Sequence, residues 1–176
     1  WSSDVCSSDL RIFRMAREAG VSTVLDVVIP DATGWWAELR KVLPWTDVFL
    51  PNTDEARMLT GLDNPYRQAE YFAAAGAATT IVTCGKDGAV LIDAERRLRS
   101  RSFAVDFVDG TGSGDAFAAG YIHGMLEGAS ADRCLEMGSA LGASCVRSPG
   151  ATTGVFTRPE LSQFLATQRL DVAPWE

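Results

Sequence analysis

The sequence holds one histidine, His123, in 176 residues, and its four cysteines, Cys6, Cys84, Cys134 and Cys145, stand far apart. With no CxxC and no Cys/His spacing, the common zinc sites are excluded, and the cysteines read as reduced thiols in or near a core, as in a cytoplasmic protein. No apolar run approaches the ~20 residues that a membrane-spanning helix needs. A charged start followed by an apolar stretch and a small-residue cleavage site is missing too, so no signal-peptide pattern is present. Positive charge is scarce. The 16 Lys and Arg against 23 Asp and Glu give a formal charge of −7, which disfavours broad attraction to nucleic acid or an anionic membrane. An anionic substrate would need locally placed donors instead.

What is present is ordinary for one soluble domain: 47% hydrophobic and 22% charged residues. Residues 1–10 stand apart, because Ser-Ser-Asp-Val is followed at once by Ser-Ser-Asp-Leu with no apolar period. They read as a scar of cloning or of a translated sequencing adapter, or as a disordered start. A helix is expected from Arg11 to Ala19. From Ser22 short β-rich runs alternate with helical stretches, the pattern of βα units around a mainly parallel sheet. Strands are expected over Thr23–Ile29, Asp47–Leu50, Thr79–Thr83 and Ala89–Ile92, with an extended stretch over Leu98–Phe107. Helices are expected over Trp35–Val42, from Asn52 or Thr53 to Thr60, and over Tyr66–Ala75, Ala116–Leu126, Asp132–Val146 and Pro159–Thr167. Pro30 and Gly34 punctuate the loop after the first strand. Residues 171–176 read as a tail.

The chemistry concentrates in Val108-Asp109-Gly110-Thr111-Gly112-Ser113-Gly114-Asp115. Three glycines between a strand and a helix let the backbone turn sharply and aim several N–H groups at one point, an anion hole reinforced by the helix N-terminus. Asp115 in the first helical turn would repel the same anion, so its presence is best explained by work on a proton, that of an attacking hydroxyl. No lysine follows these glycines, which excludes a Walker A loop. Their alternate spacing also departs from the Gly-x-Gly-x-x-Gly of dinucleotide folds.

This string, with Phe117 and Gly120 following, resembles the C-terminal signature of the ribokinase/PfkB carbohydrate kinases, D-T-x-G-A-G-D-x-F. Gly110 stands where Thr is usual and Ser113 where Ala is usual. The resemblance covers residues 11–170 and implies a three-layer α/β/α sandwich, cytoplasmic, that transfers the γ-phosphoryl of ATP to a hydroxymethyl group of a sugar or sugar-like acceptor. It implies Asp115 as base and the amides of Gly112, Ser113 and Gly114 as anion hole. Asn52-Thr53-Asp54-Glu55 resembles the family's Asn-x-x-Glu element, whose Asn52 and Glu55 help position Mg2+, water and phosphate. Thr83-Cys84-Gly85-Lys86-Asp87-Gly88 is similar to the Thr-x-Gly-x-x-Gly turn, which sets Thr83, Gly85 and Gly88 along the nucleotide. Ser139 would lie near adenine, and Asp109, Thr111, Cys145 and Gly150 would surround a K+-like ion. The half of the family that carries the Gly-Gly substrate motif and a β lid has no counterpart here, so an exposed sheet edge is expected, and a homodimer is expected only of a full-length parent.

Three alternatives remain open from the residues: a truncated, non-catalytic nucleotide- or sugar-binding module, a nucleoside kinase, and a Rossmann-type oxidoreductase, which lacks its fingerprint. Other features read as structural. His123 is a packed or surface residue, Trp35, Trp36 and Trp45 cover sheet edges, and Arg96, Arg97, Arg99 and Arg101 form a solvated hairpin face.

Overall fold

The computed structural model describes residues 4–29 and 34–176, with side chains from residue 9 onward. Pro30, expected to punctuate the first loop, lies outside the described residues. The chain divides into two compact units, one of Trp1–Cys84 with Val90–Arg97 and Glu176, the other of Gly85–Ala89 with Leu98–Trp175.

The first unit begins with α1 (Asp4–Glu18), which starts ahead of the expected Arg11 and so takes in residues 4–10. β1 (Val24–Leu25), α2 (Trp35–Val42), β2 (Val48–Phe49), α3 (Thr53–Thr60), α4 (Pro65–Ala74) and β3 (Thr79–Thr83) follow. β4 (Ala89–Ile92) lies beside β3, and the strand order is β1-β2-β3-β4. β1, β2 and β3 run parallel, with Val24 opposite Val48 and Phe49 opposite Thr80. All-apolar runs such as Ala89–Ile92 belong in strands buried on both faces, and all four of those residues are buried. β1 is much shorter than the apolar run Thr23–Ile29, because only Val24 and Leu25 meet a partner strand. The core centres on Leu43, Phe49, Phe72, Ile81, Val82 and Leu91, all fully buried. Burying each such side chain is worth about 1.5–3 kcal/mol. Phe72 of α4 meets Phe49 edge-on at 5.0 Å and Trp36 at 6.0 Å, so Trp36 covers the sheet through an aromatic stack.

The second unit carries β5 (Arg97–Ser100), α5 (Ser113–Leu126), α6 (Ala131–Cys145), α7 (Arg158–Thr167) and β6 (Val172–Pro174). β6 falls in the expected tail and pairs antiparallel with β5, Leu98 opposite Pro174, and Trp175 Nε1 donates to the Leu98 carbonyl at 3.0 Å. α5 and α6 cross through four glycines. A Cβ on Gly120 would stand 2.5 Å from the Met137 carbonyl oxygen and one on Gly124 2.8 Å from Cys134 Sγ, while those on Gly138 and Gly142 would meet the carbonyls of Phe117 and Ser113 at 3.0 and 3.2 Å. Small residues at this spacing on both helices let the backbones approach closely, which seats the start of α5 on α6. Phe103, Ala116, Met137, Leu141, Leu161 and Leu165 fill the core beside it.

Most of the arginine run is paired: Arg96 with Asp93, Arg97 with Glu70, Arg101 with Asp171. His123 sits partly exposed beside Glu127, its Nε2 3.4 Å from the carboxylate. Cys84, Cys134 and Cys145 are thiols outside any disulfide. Among the described residues no helix is long and apolar enough to cross a membrane.

Candidate functional site

In the first unit the parallel strands end on one edge, and the expected residues gather there. The N–H of Thr83 donates to the Pro51 carbonyl at 3.0 Å, and Asn52 and Thr83 form a single parallel bridge. Chain polarity makes this the carboxyl edge of the strands, where open α/β sheets bind ligands. α3 starts here because Asn52 caps it. Asn52 Oδ1 accepts the N–H groups of Asp54 and Glu55, both at 2.9 Å, and Glu55 Oε2 accepts the Asn52 N–H at 2.9 Å. Gln68 of α4 braces the same turn by donating to the Thr53 carbonyl at 3.2 Å.

Burial pushes the Glu55 carboxyl above its ordinary range, and the nearby carboxylates of Asp26 and Asp54 push it further against the opposing Asn52 N–H. Asp26 directly follows β1 and was missed in the sequence. The signal available was its place at the end of an apolar strand, which gains meaning only once β1 lies beside β2. Two carboxylates that repel at a strand edge suit a divalent cation. Mg2+ in particular is held by one or two carboxylates, waters and substrate phosphates. No group of three or more His, Cys, Asp or Glu able to hold a metal is found among the described residues.

In the second unit α5 begins at Ser113 with Gly112 as its N-cap, at φ +79° and with no side-chain cap bond. α3, α4 and α6 all start on an Asn or Ser whose side chain accepts from the first turn. α5 thus keeps first-turn N–H groups outside the helix ladder without a side-chain acceptor at its cap. The Ser113 N–H makes a turn bond to the Gly110 carbonyl at 3.2 Å. Glycine is required at 112 twice over, by its positive φ and because a Cβ would stand 2.6 Å from Ala151. Gly110 is different: a Cβ there would touch only the Phe107 ring, at an ordinary 3.7 Å, so packing does not demand its departure from the usual Thr. Gly114 and Asp115 are exposed, in the first turn of α5.

Asp109 accepts the Thr111 N–H and hydroxyl on Oδ1, at 3.0 and 2.8 Å, and the Gly150 N–H on Oδ2 at 2.9 Å. The Gly150 bond above all, then the Thr111 bonds, hold its carboxyl below the usual range. The Cys145 sulfur lies 3.3 Å from the carbonyl oxygens of both Thr111 and Ala151, and burial pushes its thiol up. Asp109, Thr111, Cys145 and Gly150 are therefore together, and their carboxylate and carbonyl oxygens are the donor type that a hard monovalent cation takes. Gly85 and Gly88 form a tight turn at φ +55° and +101°, and Gly88 is pressed so closely on the Ser100 carbonyl that no Cβ fits. Ser139 is buried in the middle of α6.

Residues 3–158 match the model of the pfkB family carbohydrate kinases. The 2-dehydro-3-deoxygluconokinase of Bacillus subtilis is 37% identical over 141 residues, 80% of this chain and 44% of that protein. Among solved structures, aminoimidazole riboside kinase from Salmonella enterica, complexed with aminoimidazole riboside and an ATP analog, superposes with a TM-score of 0.81 at 28% identity, covering 89% of this chain and 56% of that one. Arabidopsis thaliana ribokinase complexed with ribose and ATP gives 0.80 at 27%, covering 93% and 53%. The chain belongs to the pfkB family of carbohydrate kinases and has the ribokinase-like α/β fold. It spans about half the length of the relatives it matches.

Proposed function

We propose that this chain is the nucleotide-binding and catalytic portion of an ATP-dependent phosphotransferase that acts on a hydroxymethyl group of a sugar or sugar-like acceptor. The observation that carries the reading is the start of α5: a glycine N-cap with no room for a side chain, no side-chain acceptor for the first-turn N–H groups, and an exposed carboxylate, Asp115, in the same turn.

Asp115 accepts the proton as the acceptor O–H bond breaks. The acceptor oxygen forms its bond to the γ-phosphorus while the bond from phosphorus to the bridging oxygen breaks, and ADP leaves with that electron pair. The amides of Gly112, Ser113 and Gly114 stabilise the charge on the transferring group. Thr83, Gly85 and Gly88 run along the phosphates and ribose, and Ser139 lies near adenine. Glu55, with Asn52 and Asp26, would hold Mg2+, which when bound neutralises the phosphates. Asp109 and the carbonyls of Thr111, Cys145 and Gly150 would hold a monovalent cation such as K+, which when bound adds positive charge beside the anion loop.

The relatives' names support this class. They include a 2-dehydro-3-deoxygluconokinase, ribokinases and an aminoimidazole riboside kinase, so keto-sugar acids, pentoses and ribosides are the acceptor classes to screen. A cytoplasmic site of action accords with cysteines kept as thiols. In the full-length enzyme, Asp115→Asn is expected to lower kcat by about 10²–10⁴-fold while Mg·ATP affinity stays near wild type, measured by coupled ADP assay and calorimetry. Turnover near wild type would refute the assignment.

A further inference from the structure

The loop ahead of α5 is tied to the turn after α6 by a set of contacts that all lie in the second unit. The Val146 carbonyl accepts the N–H groups of Val108 and Asp109, at 2.8 and 3.2 Å. Asp109 reaches both ways, to Thr111 on its own loop and to Gly150 on the other. Cys145, the last residue of α6 and 0% exposed, sets its sulfur 3.3 Å from one carbonyl on each loop, Thr111 and Ala151. Gly112 closes the seam against Ala151 with no room for a Cβ.

A glycine-rich loop is entropically costly to hold still, and backbone amides stabilise a developing charge only when they are already in place. The loop therefore needs bonds from outside itself. A buried thiol is too enclosed for nucleophilic work, and a single S–H that two carbonyls from facing loops can share is a cross-link between them. We infer that Asp109 and Cys145 are positioning residues: they clamp the loop ahead of α5 to the 146–151 turn and so hold the Gly112–Gly114 amides where they meet the nucleotide's phosphates. The inference rests on the phosphotransferase reading for its consequence, while the clamp itself is built from the chain's own groups.

The test is residue-resolved amide hydrogen exchange on the full chain, in potassium and in tetramethylammonium buffer, together with calorimetric titration of Mg·ATP. In Cys145→Ala and Asp109→Asn, exchange at Thr111 and Gly150 should rise by about tenfold or more while Ile81 in β3 is unchanged. Mg·ATP affinity should fall in parallel. Cys145→Ser, which keeps one donor, should return both readouts to within a few-fold of wild type. Thr111→Val removes only the hydroxyl bond and should give a smaller rise in the same places should a bolder variant not fold. Wild-type exchange at Thr111 and Gly150 should stay about tenfold or more slower than in Asp109→Asn in both buffers. Unchanged exchange at Thr111 and Gly150 in the variants would overturn the clamp, as would wild-type protection that disappears when potassium is removed. Clamp-dependent exchange in a wild-type chain that binds no Mg·ATP would leave the loop contacts standing and overturn the phosphotransferase reading, and the positioning role with it.

Discussion

Of the three described helix starts with an acidic residue at the third helical position, α3 and α5 use it in opposite ways. In α3, Glu55 folds back on the Asn52 N–H while Asn52 caps Asp54 and Glu55, so the helix satisfies its own N-terminus. In α5, Asp115 follows a glycine N-cap that offers no side chain, and no such exchange takes place. A side-chain cap is worth about 1 kcal/mol, and it consumes the N–H groups that an anion would need. α3 keeps that stability and presents a carboxylate held in one place; α5 forgoes it and presents donors. One arrangement suits a cation and the other a phosphate.

The comparison can be broken most severely at Gly112. Gly112→Ala forces a side chain onto φ +79° and into Ala151. It is expected to cost roughly 2–4 kcal/mol of stability and to weaken Mg·ATP binding at least tenfold, measured by urea unfolding and calorimetry. Binding equal to wild type would mean that the start of α5 is not the anion site. A smaller effect is expected at the other helix. Asn52→Ala removes the cap and should lower stability by about 1 kcal/mol, while Asn52→Gly should cost only a few tenths. Equal losses in the two variants would show that the cap bonds contribute little.

The smallest effect sharpens the contrast by pH. Folding raises the Glu55 pKa, so its favourable contribution is complete below the ordinary value of 4.5 and is lost as pH rises through the folded value. Glu55→Gln stays neutral and can still accept the Asn52 N–H. Its melting temperature should therefore match wild type in acid and exceed it near neutrality. A variant less stable than wild type at pH 7.5 would contradict the burial and repulsion that raise Glu55.

Local chemistry made much of this legible from residues alone. Asn52 is one of two N-cap candidates at the start of the expected helix, and in the structure it is the cap, with Glu55 also accepting the Asn52 N–H to complete a capping box. Gly61 ends α3 at φ +71°, as a glycine beyond a helix does. Trp35–Val42, Thr79–Thr83 and Ala89–Ile92 form over the ranges that pattern predicts. The family signature was readable because three glycines and an acid at fixed offsets encode one backbone path. The misses share a physical reason. Val172–Pro174 has no strand period of its own and becomes β6 only because β5 offers it a ladder. Asp26 gains its place beside Glu55 only when β1 lies beside β2. The four glycines of α5 and α6 look like weak helix formers until the two helices cross.

The sequence by itself therefore determined most of the helices, the strands β3 and β4, and the identity of the loop that turns into α5, since each depends on neighbours within a few positions. Only the tertiary structure decided how that loop is held. Asp109 and Gly150 are 41 residues apart, and Cys145 and Thr111 are 34. Hydrogen bonds over such separations exist only after packing has met the entropic cost of bringing the segments together.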